Sequence, residues 1–417
     1  MNYLPRTVDS ALDELMSFEA AIAIDGPKGV GKTATAARRA TKTWRADIAA
    51  ERAILEADPL FADASGGTLL IDEWQRLPEV WDSVRRLVDD GADPGRFLLT
   101  GSATPRSGTD THSGAGRIQT LRMRPMALHE RGVTQSTVSL SALLEGTADK
   151  PAGETDFTAA RYFEAITGSG FPDFVGLPER QSSRRLETYL QRVIDRDMAE
   201  QGHAVRRPET LRRWLGAYAA ATSTTAAYST MLDATTAGDG TQPARGTTNA
   251  YRDHLTQLWL LDPVPAWTPR MDSPFKHLQR VSKHQLADPA LAARLLGLSS
   301  SALGSNRGAA MAGPLFEALV TLGVRVSAEA VGARVGHLRT KNGDHEIDLV
   351  VEGYDGEVLG IEVKLSAHVD DKHVRHLKWF REQLGDRVTD LIVVSTGTTA
   401  YRRRDGIAVV PLALLGA

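Results

Sequence analysis

The sequence predicts an α/β protein with three parts: an N-terminal parallel sheet, a mostly helical middle region and an α+β C-terminal domain. Short, continuous apolar runs alternate with amphipathic stretches from residue 20 to about residue 135, which is typical of a parallel sheet covered on both faces. Helical patterns dominate from about residue 184 to 284, and residues 313–417 follow the order helix, strand, strand, helix, strand. A chain of 417 residues is long enough for two or three domains.

Changes in composition indicate where these parts meet. The stretch Glu145–Thr155 is polar and rich in glycine and threonine, which is typical of a connection between domains. Small residues at 299–308 indicate a second boundary. We therefore predict four segments: residues 1–138, a connecting segment at 139–183, a helical domain at 184–298 and a final domain at 299–417.

The composition excludes several classes of protein. Hydrophobic residues make up 42% of the chain and charged residues 24%, so fibrous, collagen-like and disordered proteins are excluded. A net charge of -3 means that any nucleic-acid binding depends on a local basic patch. The absence of cysteine excludes disulfides, thiol nucleophiles and cysteine metal sites. We see no signal-peptide pattern and no apolar stretch near the ~20 residues of a membrane helix, so we expect a cytoplasmic protein without a membrane partner.

A glycine-rich loop follows the first predicted strand, Ala21–Ile24. The loop reads Gly26-Pro27-Lys28-Gly29-Val30-Gly31-Lys32-Thr33, and a helix is predicted from Lys32 to about Thr43. The glycines let backbone N–H groups face a phosphate, and the helix N-terminus adds partial positive charge. Lys32 is expected to neutralise the β- and γ-phosphates, and the Thr33 hydroxyl to coordinate Mg²⁺. The loop therefore predicts nucleotide binding with Mg²⁺.

A second predicted strand, Thr68–Ile71, ends in Asp72 and Glu73. In this position Asp72 is expected to hold Mg²⁺ through water, and Glu73 to orient or deprotonate the attacking water. The next strand, Phe97–Thr100, follows an amphipathic helix and has a polar end. Thr100 is a candidate sensor of the γ-phosphate, and a simple turn is the alternative. The two strands therefore predict hydrolysis as well as binding.

Arg117 follows a glycine-rich stretch and precedes an apolar run that is typical of a strand. It is a candidate arginine finger or sensor, acting on the nucleotide of its own chain or of a neighbouring subunit. The alternative is an exposed loop arginine. Arg122 and Arg124 are expected on the solvent face of the strand.

Several segments, spread nearly end to end, resemble a widespread prokaryotic family of predicted AAA-type ATPases with a C-terminal domain of unknown function. They are Tyr3-Leu4-Pro5-Arg6, the loop at 26–33, Leu70-Ile71-Asp72-Glu73-Trp74-Gln75, Leu99-Thr100-Gly101-Ser102-Ala103, Gly116-Arg117, Arg124-Pro125-Met126, Gly168-Ser169-Gly170-Phe171-Pro172, Glu346-Ile347-Asp348 and Glu362-Val363-Lys364. The resemblance implies a P-loop NTPase fold that uses ATP, then a winged-helix-like segment, then a restriction-endonuclease-like fold. The stretch Trp44-Arg45-Ala46-Asp47 departs from the family pattern and leaves the strand order near the first helix open.

The middle region is mildly basic and carries two amphipathic helices, predicted at Glu209–Ala221 and Thr247–Leu260. An apolar run at 260–264 then resembles a wing strand. This order is compatible with a winged helix-turn-helix, whose second helix enters the major groove of DNA. Arg245 and Arg252 are candidate phosphate contacts. The alternative is a helical bridge between domains or a surface that binds protein.

Two carboxylates and a lysine are predicted to meet in the last domain. Strands at 346–351 and 358–364 form a hairpin that brings Asp348 alongside Glu362 and Lys364, and Glu317 lies in the preceding helix. The block resembles the PD-(D/E)XK nucleases. The resemblance implies that Asp348 and Glu362 bind Mg²⁺ and that Lys364 positions or activates the attacking water. The alternative is a cross-strand ion pair on a solvated sheet face.

These observations predict a Mg²⁺-dependent P-loop ATPase coupled to a C-terminal nuclease-like module that acts on DNA. Lys32 and Glu73 are the predicted catalytic residues for hydrolysis, and Asp348, Glu362 and Lys364 those for cleavage. The main alternative is a nucleotide-switched regulator that binds DNA or protein and whose nuclease fold is inactive. A third hypothesis is a protein-remodelling ATPase. An arginine that acts on a neighbour would require a homo-oligomer, which the sequence leaves open.

Overall fold

The computed structural model describes residues 3–62, 66–102, 114–148, 150–200, 205, 207–235, 244–269 and 278–417. The N-terminal elements are α1 (Val8–Leu15), β1 (Ala21–Asp25), α2 (Lys32–Ala37), β2 (Lys42–Arg45), α3 (Ala49–Ala57), β3 (Leu69–Asp72), α4 (Glu79–Asp89), β4 (Phe97–Gly101) and β5 (Gln119–Arg122). The middle elements are β6 (Val138–Ser139), α5 (Leu140–Glu145), α6 (Ala159–Thr167), α7 (Glu179–Arg192), α8 (Met198–Glu200), α9 (Pro208–Ala220), α10 (Tyr228–Thr235), α11 (Arg245–Gln257), α12 (Pro289–Leu295) and α13 (Ser300–Leu303). The C-terminal elements are α14 (Ala309–Ala330), β7 (Arg334–Arg339), β8 (Glu346–Glu352), β9 (Val358–Lys364), α15 (Asp371–Leu384), β10 (Val388–Ser395), β11 (Tyr401–Arg402), β12 (Ala408–Pro411) and β13 (Leu415–Gly416).

The N-terminal sheet has five parallel strands in the order β2-β3-β4-β1-β5, so the predicted parallel sheet is confirmed. Strand β1 contributes to two cores, because alternate side chains point to opposite faces. Ile22 and Ile24 pack with residues of α1 and α2, whereas Ala21 and Ala23 pack with residues of α3 and α4. Helices on both faces explain why β1, β3 and β4 read as continuous apolar runs.

The first helix is shorter than predicted, and this prediction was wrong. Helix α2 ends at Ala37, and strand β2, Lys42–Arg45, follows where the helix was expected to continue to Thr43. Strand β2 is at the edge of the sheet, and its residues alternate between half-buried and exposed. An edge strand therefore lacks the continuous apolar run that marks the central strands.

Helices α9 and α11 of the middle region lie close to their predicted positions. Leu211, Trp214, Leu215 and Tyr218 of α9 are all buried. Beyond α11, the run at 260–264 does not form a full strand. Isolated bridges join Leu261 to Leu286 and Val264 to Lys283. We call these two paired segments, 261–264 and 283–286, the bridging pair.

The C-terminal domain is built on a six-stranded mixed sheet in the order β11-β12-β10-β9-β8-β7. Strands β7, β8 and β9 are antiparallel neighbours, and β10 runs parallel to β9. Apolar residues of α14 and α15 belong to separate cores that share the strands of this sheet. The segment predicted as a connection packs along this domain, because Glu154 bridges to Thr399 and β6 pairs with β13.

Helix α14 is the one helix, within the described ranges, that is long and apolar enough to cross a membrane by length and composition. We expected no such stretch from the sequence, so that prediction was wrong. A window of this helix has a mean hydropathy of 1.4, and 56% of that window is buried inside the protein. Leu315, Phe316 and Leu319 are fully buried in the main core. The core helix of a soluble protein passes the same test, so the finding is weak evidence for a membrane span.

A buried group of charges joins the three parts of the chain. We call it the Arg–Asp cluster, and its members are Arg122, Arg124, Asp262, Arg325 and Glu329. The Asp262 carboxylate accepts ion-pair contacts from Arg122 at 2.9 Å, from Arg124 at 2.8 Å and from Arg325 at 2.8 Å. Glu329 of α14 lies 3.1 Å from Arg124. The prediction that Arg122 and Arg124 face solvent was therefore wrong, since their side chains are 22% and 6% exposed.

The cluster also fixes the charge state of Asp262. Burial alone would raise the pKa of this carboxyl, but the guanidinium groups of Arg124, Arg325 and Arg122 hold it well below its usual range. A depressed pKa in the folded state stabilises the fold above the ordinary aspartate pKa of about 4. That stabilisation is lost as the pH falls below this value. Asp262 therefore holds the domains together as a charged residue at neutral pH.

We expect Asp262→Asn to destabilise the protein by about 3–5 kcal/mol, because three buried guanidinium groups would lose their shared carboxylate. The measurement is the thermal unfolding midpoint at neutral pH. Asp156→Asn is the matched control, since Asp156 is 95% exposed and pairs only at the surface with Arg161. Its expected cost is below about 1 kcal/mol. Equal midpoints for the two variants would contradict the role given to Asp262.

Candidate functional site

The glycine-rich loop connects β1 with α2, at the carboxyl edge of the parallel sheet. Gly26, Gly29 and Gly31 all have positive φ angles. A Cβ on Gly26 would lie 2.1 Å from the Met123 carbonyl oxygen, so only glycine fits there. Pro27 and Val30 are buried, and Lys28 and Gly29 are more exposed. The structure thus gives the predicted phosphate loop the conformation that its glycines require.

Arg6 supports this loop from below, and sequence reasoning missed its role. Its side chain is buried, and it donates hydrogen bonds to the carbonyl of Val30 at 2.8 Å and to that of Arg124 at 2.7 Å. It also forms an ion pair with Glu130 at 3.3 Å. Arg6 stood in a segment that carried the family resemblance, but nothing in its local pattern pointed to the loop.

Four predicted residues meet at the carboxyl edge of the sheet. The Thr33 hydroxyl donates a hydrogen bond to Asp72 Oδ1 at 2.8 Å, and the Thr100 hydroxyl donates to the same oxygen. Lys32 is buried, and its Nζ donates to the carbonyls of Gly26 at 2.7 Å and Pro27 at 2.9 Å. A hydroxyl and a carboxylate are oxygen ligands that Mg²⁺ prefers, so Thr33 and Asp72 fit the expected cation.

Glu73 is held in a strained position directly after β3. Its φ angle of 54° is in the left-handed region, which is uncommon for a residue with a side chain. Both carboxylate oxygens accept hydrogen bonds, one from the Ser102 hydroxyl at 2.7 Å and one from the Gln75 amide at 2.5 Å. Ser102 lies in the polar strand end that the sequence indicated, although only Thr100 was singled out there.

The charges around the loop perturb each other. Burial lowers the pKa of the Lys32 ammonium to about 8, although the carboxylates of Glu73, Asp25 and Asp72 act in the opposite direction. Burial raises the pKa of Asp25 to about 6, against the effect of Lys32 and Arg122. The loop therefore carries a lysine whose charge is poorly compensated. Such a lysine is suited to an anionic ligand.

The middle region lies directly against the loop. Lys28 Nζ is 2.6 Å from an Asp197 carboxylate oxygen and 3.8 Å from one of Glu200. The Tyr189 hydroxyl donates to the Lys28 carbonyl at 3.4 Å, and Phe171 lies close to Gly29. The segment Gly168–Pro172, which carried part of the resemblance, thus packs beside the phosphate loop.

Arg117 is not brought to the loop of its own chain. It precedes β5, whose residue Gln119 pairs with Ile22 near the amino end of β1, so it lies at the edge opposite the loop. Its side chain is about half exposed and pairs with Asp89 at 2.8 Å. A role on the nucleotide of the same chain is therefore wrong. A role on a neighbouring subunit stays a prediction.

The predicted C-terminal residues do come together. Asp348 Oδ2 accepts a hydrogen bond from the Val363 amide at 2.9 Å, and Lys364 Nζ donates to Glu362 Oε1 at 2.6 Å. Asp348 and Glu362 are both buried, so a solvated ion pair does not describe them. Glu362 Oε2 is buried without a hydrogen-bond partner in the structure.

A fourth chain segment enters this group, and sequence reasoning missed it. Lys283 of the bridging pair reaches three carboxylates, at 2.9 Å for Glu317, 3.1 Å for Glu346 and 3.1 Å for Asp348. We call Lys283, Glu317, Glu346 and Asp348 the carboxylate–lysine cluster. Within the described residues, no group of three or more acidic, histidine or cysteine side chains is arranged to hold a metal ion. With Lys283 in place, the side chains present therefore do not fit the predicted Mg²⁺ of this domain.

Burial and neighbouring charges shift the pKa values of the carboxyl groups in this part of the domain. Burial raises the pKa of Glu317 to about 8, and Asp348 adds to the rise. Burial and the Asp348 carboxylate likewise raise the pKa of Glu362 to about 8. For Asp348, burial acts to raise the pKa, but Lys283 and Lys364 hold it below its usual range. Asp348 is thus the carboxyl whose charged form is favoured, whereas burial disfavours the charged forms of Glu317 and Glu362.

The candidate phosphate contacts of the middle region are less informative. Arg252 pairs with Asp253 at 2.8 Å, and its guanidinium lies 5.4 Å from the centre of the Tyr228 ring. The side chain of Arg245 lies outside what the structure describes. Neither arginine is thereby placed on a DNA-binding surface.

Comparison with known families divides the chain into three matched regions. Residues 19–131 match an AAA domain. Residues 159–302 and 312–415 match two domains of unknown function, DUF8612 and DUF4143 respectively. The first match supports a P-loop ATPase of the AAA type. The C-terminal match is to a domain of unknown function, as the family resemblance implied. It gives no indication of a nuclease.

Two mycobacterial proteins are similar to this chain over most of its length. Uncharacterized proteins of Mycobacterium tuberculosis and Mycobacterium bovis are each 28% identical over 355 residues, which is 82% of this chain and 70% of theirs. Among solved structures, the ORC2 protein of Aeropyrum pernix, in ADPNP-ADP complexes, is 16% identical with a TM-score of 0.31, covering 71% of this chain and 94% of its own. A Vibrio cholerae protein is 11% identical with a TM-score of 0.21, covering 94% of each chain. Both scores are too low to carry an argument.

The pKa of Lys32 gives a prediction for nucleotide binding. Phosphates favour the protonated ammonium, so raising the pH through about 8 should weaken the binding of ATP. Between pH 7.5 and 9 the protonated fraction falls roughly tenfold, and we expect the dissociation constant to rise by about that factor. Calorimetric titration of ATP across this range measures it. Lys32→Ala is the control and should bind weakly without this pH dependence, and a pH-independent wild-type affinity would contradict the assignment.

Proposed function

We propose that the N-terminal domain binds Mg-ATP and hydrolyses it to ADP and phosphate. The observation that carries the proposal is the meeting of Thr33, Asp72, Thr100 and Glu73 beside the phosphate loop, on the carboxyl ends of three adjacent strands. The match of this region to an AAA domain supports it. Thr33 and Asp72 would hold a Mg²⁺ ion, whose charge would offset the negative charge that develops on the phosphates.

Each residue has a distinct part in the proposed reaction. Lys32 exchanges its bonds to the carbonyls of its own loop for bonds to the β- and γ-phosphates. Glu73 accepts the proton of the attacking water, and the hydrogen bonds from Ser102 and Gln75 fix the direction of its carboxylate. Thr100 shares the Asp72 oxygen with Thr33, which supports the proposed response of Thr100 to the γ-phosphate.

The contact between Lys28 and the middle region supplies a route for coupling. Phosphates bound in the loop would compete with Asp197 for Lys28 and would repel the Asp197 and Glu200 carboxylates. Nucleotide binding is therefore proposed to loosen the helices that carry these acids. We propose that this ATPase acts in the cytoplasm and that its partner is DNA, protein or further copies of the chain.

Glu73→Gln is expected to lower the rate of ATP hydrolysis by about 10²–10⁴-fold, because the amide cannot accept the proton from water. Binding of ATP should be retained, since Glu73 does not belong to the loop. The measurements are phosphate release and ATP binding on the same preparations. Glu79→Gln is the matched control, an exposed glutamate on the adjacent helix α4. Wild-type turnover by Glu73→Gln would show that the base is another group.

Nuclease action on DNA stays a prediction for the C-terminal domain. The meeting of Asp348, Glu362 and Lys364 supports it. The position of Lys283 among three carboxylates opposes a metal-dependent reaction there. The alternative, a nucleotide-switched regulator with an inactive C-terminal domain, rests on that same lysine.

Cleavage assays on plasmid and linear DNA separate the two. With Lys283 in place we expect no cleavage by the wild type with Mg²⁺ or Mn²⁺, with or without ATP. Lys364→Ala and Lys341→Ala are assayed alongside, the second being an exposed lysine of the same domain. Cleavage that is lost in Lys364→Ala and kept in Lys341→Ala would establish the nuclease.

A further inference from the structure

We infer that the ammonium group of Lys283 takes the place of a divalent cation in the C-terminal domain, so that the chain itself closes this site to metal ions. The inference is independent of the proposed ATP hydrolysis. It concerns a residue of the middle region acting on a site of the last domain.

The contacts of Lys283 match the number of hydrogen-bond donors on its ammonium group. An ammonium group has three donors, and Nζ of Lys283 lies 2.9, 3.1 and 3.1 Å from oxygens of Glu317, Glu346 and Asp348. The lysine side chain is only 2% exposed. A surface lysine that meets one acid by chance would not have this arrangement.

A metal ion and this ammonium cannot share the site. Mg²⁺ binds carboxylate oxygens at about 2.0–2.1 Å, so it would have to stand among the same oxygens that already contact Nζ. Withdrawing Lys283 without a replacement would leave Asp348 buried and unpaired, which is costly. The lysine therefore has to leave before a metal can enter, and the metal would have to supply its charge.

Lys283 is also fixed from behind. Its backbone pairs with Val264 through two hydrogen bonds of 2.9 Å. Asp262 lies two residues before Val264 and belongs to the Arg–Asp cluster. That cluster includes Arg122 and Arg124, which lie at the end of β5, next to β1. The backbone that carries Lys283 is thus paired with a segment that is anchored to the ATPase domain.

The test is Mn²⁺ binding to the full-length, nucleotide-free protein, followed by calorimetry or by electron paramagnetic resonance. Lys283→Met removes the ammonium while keeping most of the length of the side chain, and it should bind one Mn²⁺ at least tenfold more tightly than the wild type. The gained site should disappear when Asp348→Asn is added. Lys341→Met is the control and should behave as the wild type. Circular dichroism checks that each variant is folded, and Lys283→Gln is a second variant if Lys283→Met is not.

Two results would overturn the inference. The first is a Mn²⁺ site in the wild type that Asp348→Asn removes, because the site would then be open with Lys283 present. This arm needs no variant at Lys283 and so stands even if both substitutions there unfold. The second is a folded Lys283→Met or Lys283→Gln protein that binds Mn²⁺ no more tightly than the wild type.

Discussion

The contact between Asp262 and its three arginines is the interaction on which the arrangement of the domains depends. Its carboxylate receives Arg122 and Arg124 from the ATPase domain and Arg325 from helix α14. A buried carboxylate shared by three guanidinium groups tolerates little displacement, because a guanidinium group that moved away would lose its ion pair with Asp262. The cluster therefore fixes the relative positions of three elements: the edge of the nucleotide-binding sheet, the bridging pair and α14.

Helix α14 connects the Arg–Asp cluster with the carboxylate–lysine cluster. It carries Glu317 at the carboxylate–lysine cluster and Arg325 and Glu329 at the Arg–Asp cluster. Eight residues separate Glu317 from Arg325, which corresponds to about 12 Å along a helix. The bridging pair connects the same two groups through Lys283 and Asp262. Two parallel connections of this kind give the nucleotide domain a physical link to the C-terminal site.

Local patterns explain which features could be predicted from the sequence. The first strand, the glycines and Lys32 follow one another directly in the chain, so the loop and its strand were predictable. Asp72 and Thr100 were predictable because each lies at the end of a neighbouring apolar strand. Strand β2 was not, because an edge strand has no continuous apolar run. The hairpin that joins Asp348 to Glu362 was predictable because only a turn separates its strands.

Long-range charge contacts escaped prediction for a different reason. Lys283 is a single lysine between unremarkable neighbours, and it meets Glu317 and Asp348 at separations of 34 and 65 residues. Arg122 and Arg124 alternate along a strand as exposed residues do, and their acidic partners come from the middle region and α14. In each case the decisive partner comes from another element, so no local period signals the burial.

Lys32 and Lys283 are both buried, but their ammonium groups have opposite roles. Lys32 bonds to neutral carbonyls of its own loop, and burial lowers its pKa to about 8, so its charge is left for a phosphate. For Lys283, burial acts in the same direction, but the carboxylates of Asp348, Glu317 and Glu346 overcome it and raise the pKa. All of its charge is thus taken up within the chain. An anion that approaches Lys32 is stabilised by a charge that no carboxylate of the described residues neutralises directly. A cation that approaches the carboxylates around Lys283 must first displace the ammonium group. The first site is therefore open to a ligand, whereas the chain itself fills the second.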